Sequence, residues 1–173
     1  MRRGCCKSAN VPIRFAQPDD LAAIVDIYNA SIPGRLATAD TEPVSVDARR
    51  AWFAEFDAKC RPLWVFEQSD TVVGWLSYRS FYGRPAYHAT VEVAVYSHPE
   101  HQRHGIGRAL LAHALVMAPS LGIHTVLAFV FGHNHPSIAL FESAGFARWG
   151  LLPNVADLDG QERDLAILGK RLA

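Results

Sequence analysis

Residues 98–115, HPEHQRHGIGRALLAHAL, put two glycines two positions apart at the mouth of an apolar run. The alternating stretch Ala89–Tyr96 (ATVEVAVY) comes before them, so Gly105 and Gly107 lie between a strand and a helix. Glycines at such a junction let successive backbone N–H groups turn inward, and the helix N-terminus adds partial positive charge. A phosphate or pyrophosphate suits that arrangement, and Arg103 and Arg108 add side-chain charge. A dinucleotide fingerprint needs a third small residue at 110, where Leu110 stands; a nucleotide P-loop needs Gly-Lys-Ser/Thr, where the chain reads Gly107-Arg108-Ala109. Both are excluded. On these residues alone, a glycine-kinked helix entry with no ligand stays open beside a phosphate loop.

The rest of the chain alternates between strand and helix patterns. Val11–Ala16 reads as a short strand, and Pro18-Asp19-Asp20 opens a helix to about Ile32, with Leu21, Ile24, Val25 and Tyr28 at helical spacing. A long polar loop follows to Pro43, and Ser45 is placed to cap a second helix carrying Trp52, Phe53 and Phe56. Leu63–Gln68 and Thr71–Ser80 are expected to form a hairpin across Ser69-Asp70, and Pro119 to end or kink the helix after Gly107. Thr125–Phe131 reads as a buried strand and Pro136–Ala144 as a short helix. The tail reads as a hairpin, Phe146–Leu158 against Glu162–Gly169, turning at Asp159-Gly160. The fold class is α/β (α+β): a mixed, mostly antiparallel central sheet flanked by about four helices.

One domain over residues 11–173 is the simplest organisation for 173 residues, with Met1–Asn10 (MRRGCCKSAN) as a disordered leader lacking the apolar stretch of a signal peptide. Lys and Arg total 17 and Asp and Glu total 17. That neutrality argues against a sequence-independent grip on nucleic acid. No stretch is long and apolar enough to suggest a membrane span. Cys5, Cys6 and Cys60 show no metal-finger spacing and suit a reduced, cytoplasmic protein.

Around the glycines, Gln102-Arg103-His104-Gly105-Ile106-Gly107 resembles the Q/R-x-x-G-x-G/A loop of the GCN5-related N-acetyltransferase (GNAT) family. Val91–Pro99 (VEVAVYSHP) resembles that family's preceding strand. Asn134-His135-Pro136-Ser137, followed by Leu140-Phe141-Glu142-Ser143-Ala144-Gly145-Phe146, is similar to its second cofactor motif. The elements stand in family order over residues 11–170. Thr41-Glu42-Pro43, Arg84-Pro85-Ala86-Tyr87, Thr90-Val91-Glu92, Tyr96 and Pro99–Arg103 further resemble the phosphinothricin and methionine sulfoximine acetyltransferase branch.

The resemblance implies a GNAT-type fold and direct transfer of an acetyl group from acetyl-CoA to the amine of a small amino-acid-like substrate, within a ternary complex. It implies a pyrophosphate cradle from Arg103, His104, Gly105, Ile106, Gly107 and Arg108. It places the thioester against Val95, Tyr96 and Ser97, and adds Asn134 and Ser137 to the cofactor site. Glu92 matches the proposed base of the branch. On its own residues, a glutamate within T-V-E-V-A-V is either functional or on a solvated face of an edge strand. Arg84 is a candidate clamp for the substrate carboxylate, a two-pronged partner for guanidinium. Tyr28, Tyr87 and the loop Arg35–Thr41 are candidates to line the pocket, although core packing accounts for the tyrosines equally well. Phe141 stands where relatives carry a proton-donating Tyr or His, and Tyr82 where they often carry a second basic residue.

His98, His101, His104, His133 and His135 sit in loops without supporting Cys or carboxylate ligands, and no metal is expected. The expected partners are a small amine or amino acid and a second copy of the chain, the homodimer resting on resemblance alone. Two other functions remain as alternatives: acetylation of a protein or peptide amine, and a catalytically silent acyl-CoA-binding module.

Overall fold

The computed structural model describes residues 12–172, so the expected leader and Val11 lie outside the described residues. Among the described residues, four α-helices flank a seven-stranded sheet: β1 (Ile13–Phe15), α1 (Leu21–Ser31), α2 (Val46–Ala54), β2 (Leu63–Gln68), β3 (Thr71–Ser80), β4 (Thr90–Ser97), α3 (Ile106–Met117), β5 (Thr125–Phe131), α4 (His135–Ser143), β6 (Ala147–Leu158) and β7 (Gln161–Arg171). The strand order is β1-β2-β3-β4-β5-β7-β6, and every neighbouring pair is antiparallel except β4 and β5. Among the described residues, no helix is long and apolar enough to cross a membrane.

Local chemistry accounts for the junctions. Ser69 and Asp70 turn the β2–β3 hairpin with φ of 51° and 61°, and Asp159 and Gly160 turn the β6–β7 hairpin with 56° and 81°. Two-residue turns with positive φ match the right-handed twist of the strands they join. Ser45 caps α2, its hydroxyl accepting the Ala48 N–H at 3.1 Å. Helix α3 stops at Met117, and the 3-10 turn Ala118–Leu121 carries Pro119, whose missing N–H cannot continue the ladder.

Both faces of the sheet are apolar. Leu76, Tyr78, Val91, Val126 and Leu168 pack beneath α3 with Leu110 and Leu111, whereas Val65 and Trp75 face Ile24 and Ile27 of α1. The alternation of Trp75 and Leu76 between these clusters is the two-residue period of a strand buried on both sides.

Helix α3 comes unusually close to the sheet at Gly74. A Cβ there would lie 2.7 Å from the Ile106 Cγ2 atom and 3.0 Å from the Tyr96 carbonyl oxygen. This glycine therefore seats the start of α3 against β3 and β4. Gly74→Ala is expected to overpack that contact and cost about 1–3 kcal/mol of stability, read by chemical denaturation. Wild-type stability in the variant would show that the contact has slack.

Candidate active site

Strands β4 and β5 pair only briefly. Their register runs Thr90↔Thr125, Val91↔Val126 and Glu92↔Leu127, and then stops. The His98 N–H donates to the Val73 carbonyl at 2.9 Å and the Thr90 carbonyl accepts from Phe81 at 3.4 Å. Even-numbered residues of β4 thus turn their backbone groups toward β3, and strand alternation turns those of Val95 and Ser97 toward the side that β5 has left. A cleft of about 420 Å³ opens there, with Val95, Tyr96, Phe129, Asn134, Ser137 and Phe141 among its walls. Free strand amides beside an apolar wall suit an extended, amide-bearing chain such as the pantetheine arm of coenzyme A.

The glycine loop borders this strand at the start of α3. Gly105 has φ of +80° with nothing within 4 Å of a Cβ position, so backbone conformation and not space demands glycine there. Arg103 also adopts a left-handed conformation, φ 64°. The first helical bond runs from the Ala109 N–H to the Gly105 carbonyl at 2.9 Å, leaving the amides of Ile106, Gly107 and Arg108 unused by the helix. Arg103, His104 and Arg108 have exposed side chains, whereas Ile106 is buried in the core and can offer only its backbone. Gly107 does different work from Gly105: a Cβ at 107 would meet Leu140 of α4 at 3.3 Å.

Asn134 lines the cleft, but its side chain is also committed elsewhere. It accepts the Ser137 N–H at 3.1 Å, capping α4, and donates to the Leu36 carbonyl at 2.9 Å. His133 Nε2 lies 2.9 Å from the Arg35 carbonyl oxygen, and the Tyr96 hydroxyl donates to the Ala37 carbonyl at 3.0 Å. Three side chains from the sheet and from the entry to α4 thereby hold consecutive carbonyls of loop 32–44, which walls one side of the cleft.

A second cavity of about 150 Å³ adjoins the first, and Glu92, Ala94 and Tyr96 line both. Tyr28, Arg49, Trp52, Trp75 and Arg79 surround the second cavity. Burial raises the Glu92 pKa above the ordinary carboxylate range, and the positive charge of Arg79 pulls the other way. Arg79 and Glu92 stand directly opposite across β3 and β4. The nearest carboxylate oxygen to the Arg79 guanidinium belongs to Glu55, at a long 3.5 Å.

Of the expected substrate residues, only Tyr28 lines this cavity; its hydroxyl donates to Asp40 at 2.5 Å. Arg84 and Tyr87 lie on the exposed segment between β3 and β4 and line neither cavity, and Tyr87 packs edge-on against Phe81. Arg49 and Arg79 were not anticipated as site residues. Strand alternation carries the signal for Arg79, which shares a face with Trp75, and helical spacing carries it for Arg49, three residues before Trp52. His98 and His101 lie with ring centroids 5.9 Å apart, and among the described residues no group of three or more His, Cys, Asp or Glu could hold a metal ion.

Comparison with known proteins follows the same geometry. Residues 21–146 match the family model described as the acetyltransferase (GNAT) family. YwnH of Bacillus subtilis (strain 168), provisionally named a phosphinothricin acetyltransferase, is 48% identical over 162 residues, covering 93% of this chain and 99% of that protein. An L-methionine sulfoximine/L-methionine sulfone acetyltransferase of Salmonella typhimurium is 34% identical over 160 residues, 92% of this chain and 94% of its own. The crystal structure of a phosphinothricin acetyltransferase from Sinorhizobium meliloti in complex with acetyl-CoA superposes with a TM-score of 0.88 at 30% identity, covering 93% of this chain and 88% of that one.

The glycine loop generates a direct test. Gly105→Ala forces a side chain into the left-handed region at about 1–2 kcal/mol, and relaxation of the loop would turn its amides away. Affinity for acetyl-CoA, measured by calorimetry, is expected to fall about tenfold. Unchanged affinity would dissociate this loop from cofactor binding.

Proposed function

The chain belongs to the acetyltransferase (GNAT) family, and from that premise we propose that it acetylates the α-amine of a small amino acid by direct transfer from acetyl-CoA in a ternary complex. The observation that carries this reading is the position of Glu92 on the shared wall of the two cavities. One cavity is the larger cleft along the separated end of β4, the strand that leads into the glycine loop. The other is small, rich in aromatic rings, and carries two guanidinium groups beside the carboxylate.

An α-amino acid brings an ammonium and a carboxylate two bonds apart. Glu92 and Arg79 match that pattern, because directly opposed residues on neighbouring strands have Cα atoms only about 5.5 Å apart. Arg79 meets the carboxylate; Glu92 takes the ammonium proton, directly or through water, freeing the nitrogen lone pair. Arg84, exposed beyond the cavity, is left as a candidate for the outer rim. Acetyl-CoA supplies the activated acetyl thioester. A backbone N–H of the Val95–Ser97 stretch meets its carbonyl oxygen, and Arg103, His104, Gly105, Ile106, Gly107 and Arg108 cradle its pyrophosphate. Phe141, buried against Phe146 and lining the cleft, has no proton to give the departing sulfur. Coenzyme A then leaves as the thiolate, or water protonates it.

The names of the relatives favour substrates of the phosphinothricin and methionine sulfone type. The small cavity also favours a free amino acid over a peptide, because Tyr28, Thr38 and Asp40 bond with one another alongside it instead of leaving an open groove. We further read the chain as a cytoplasmic homodimer. Trp149, Leu151 and Leu152 are exposed on β6, the outer strand, and a second copy would cover them. The free, exposed Cys60 suits a reducing compartment.

The test is a thiol-release assay over a panel of free amino acids that includes methionine sulfone and phosphinothricin. Glu92 works only when deprotonated, so kcat/KM should rise with pH through a value above the usual carboxylate range. In Glu92→Gln that limb should vanish, with kcat at neutral pH falling about a hundredfold or more. Arg79→Ala should instead raise the amino-acid KM. Full activity of Glu92→Gln at every pH would remove Glu92 as the base. An unchanged KM in Arg79→Ala would return the carboxylate clamp to Arg84.

A further inference from the structure

Loop 32–44 and the smaller cavity meet at one carboxylate. Asp40 Oδ2 accepts from the Tyr28 hydroxyl at 2.5 Å and from an Arg49 Nη at 3.0 Å. The same guanidinium lies over the Tyr28 ring, 4.6 Å from its centroid, and 5.5 Å from that of Trp52. Two aromatic rings and one carboxylate thus fix its orientation. Asp40 is the outer member of the pair: its side chain is 45% exposed against 23% for Arg49, and only Arg49 lines the cavity beside Glu92. Among the described residues Arg49 makes no other side-chain hydrogen bond, so its Nε and second Nη remain available as donors.

Asp40 is itself held in place. Its backbone N–H donates to the Thr38 hydroxyl at 3.2 Å, and that hydroxyl lies 2.5 Å from the Tyr28 hydroxyl. Upstream, Arg35 binds the Asp159 carboxylate at 2.6 Å and the Thr41 carbonyl at 3.0 Å, fastening the loop to the β6–β7 turn. The loop therefore presents a carboxylate at a defined point outside the cavity, and that carboxylate aims a cation inside it.

We propose that Asp40 is a positioning residue for substrate binding, holding Arg49 between Tyr28 and Trp52 so that its free donors face the oxygen atoms of the substrate. The role rests on the amino-acid reading above. It is separate from proton transfer, because Asp40 lines neither cavity and Glu92 lines both. An Arg49 released from Asp40 keeps its charge but loses its direction, so binding weakens while the chemical step is preserved.

The experiment compares the wild type with Asp40→Asn, Arg49→Ala and the double variant. L-methionine sulfone is the varied substrate, and the Arg Nε–H signals of the isotope-labelled free proteins are followed by NMR. In Asp40→Asn the amino-acid KM should rise about tenfold, with kcat and the acetyl-CoA KM within about twofold of wild type. The double variant should be no worse than Arg49→Ala, because one residue acts through the other. The Arg49 Nε–H signal should be sharp in the wild type and broadened in Asp40→Asn. Additive losses, a fall in kcat at constant KM, or an equally sharp Arg49 signal in both proteins would each overturn the proposal. Should the wild type acetylate no amino acid, the proposed substrate falls, while the NMR comparison still decides whether Asp40 positions Arg49.

Discussion

The ladder between β4 and β5 ends at Glu92 and Leu127, and most of the site depends on that early ending. A parallel pair continued to Ser97 would consume the backbone groups of Val95 and Ser97 and close the cleft. The separation instead leaves strand amides facing open space, which a buried backbone tolerates only with water or a ligand to satisfy them. Glu92 sits at the fork. It is the last residue of β4 paired with β5, buried enough to raise its pKa, and it borders both cavities.

The surroundings of the fork keep its two sides in register. Gly74 admits Ile106 close to β3 and β4, which seats the start of α3 beside the free end of β4. Loop 32–44 reaches from the cleft wall to the rim of the smaller cavity, tied down by Tyr96, His133 and Asn134 at one end and by Tyr28 at the other. Tyr96 links the systems directly, stacking on Trp75 with ring centroids 4.5 Å apart while its hydroxyl holds the loop. Movement of that loop would disturb cofactor and substrate walls together.

Much of this was legible in the residues because local chemistry sets it. The two hairpin turns, the Ser45 cap, the stop before Pro119 and the glycine-opened helix each follow from a few adjacent side chains. The family motifs marked the strand bearing Glu92 for the same reason, as contiguous runs. The smaller cavity was harder to read, since it is assembled from α1, α2, β3 and β4 across the sheet. Periodicity puts Arg79 on the face of Trp75 and Arg49 on that of Trp52, but it does not show that α2 and β3 bring both to the cavity that Glu92 lines. Arg84 stood out through its neighbours Pro85 and Tyr87, yet its segment projects into solvent. Gly107 matched the loop motif, but contact with Leu140 gives it a packing role that periodicity does not disclose.

The central claim is that the separated end of β4 and the start of α3 together receive acetyl-CoA. Residue-resolved amide hydrogen exchange, with and without acetyl-CoA, tests it most directly. The account predicts that the amides of Val95, Ser97, Ile106, Gly107 and Arg108 gain protection on binding, while those of the outer strand β1, which lines neither cavity, stay unchanged. Exchange at Val95 and Ser97 that is indifferent to saturating acetyl-CoA would contradict it.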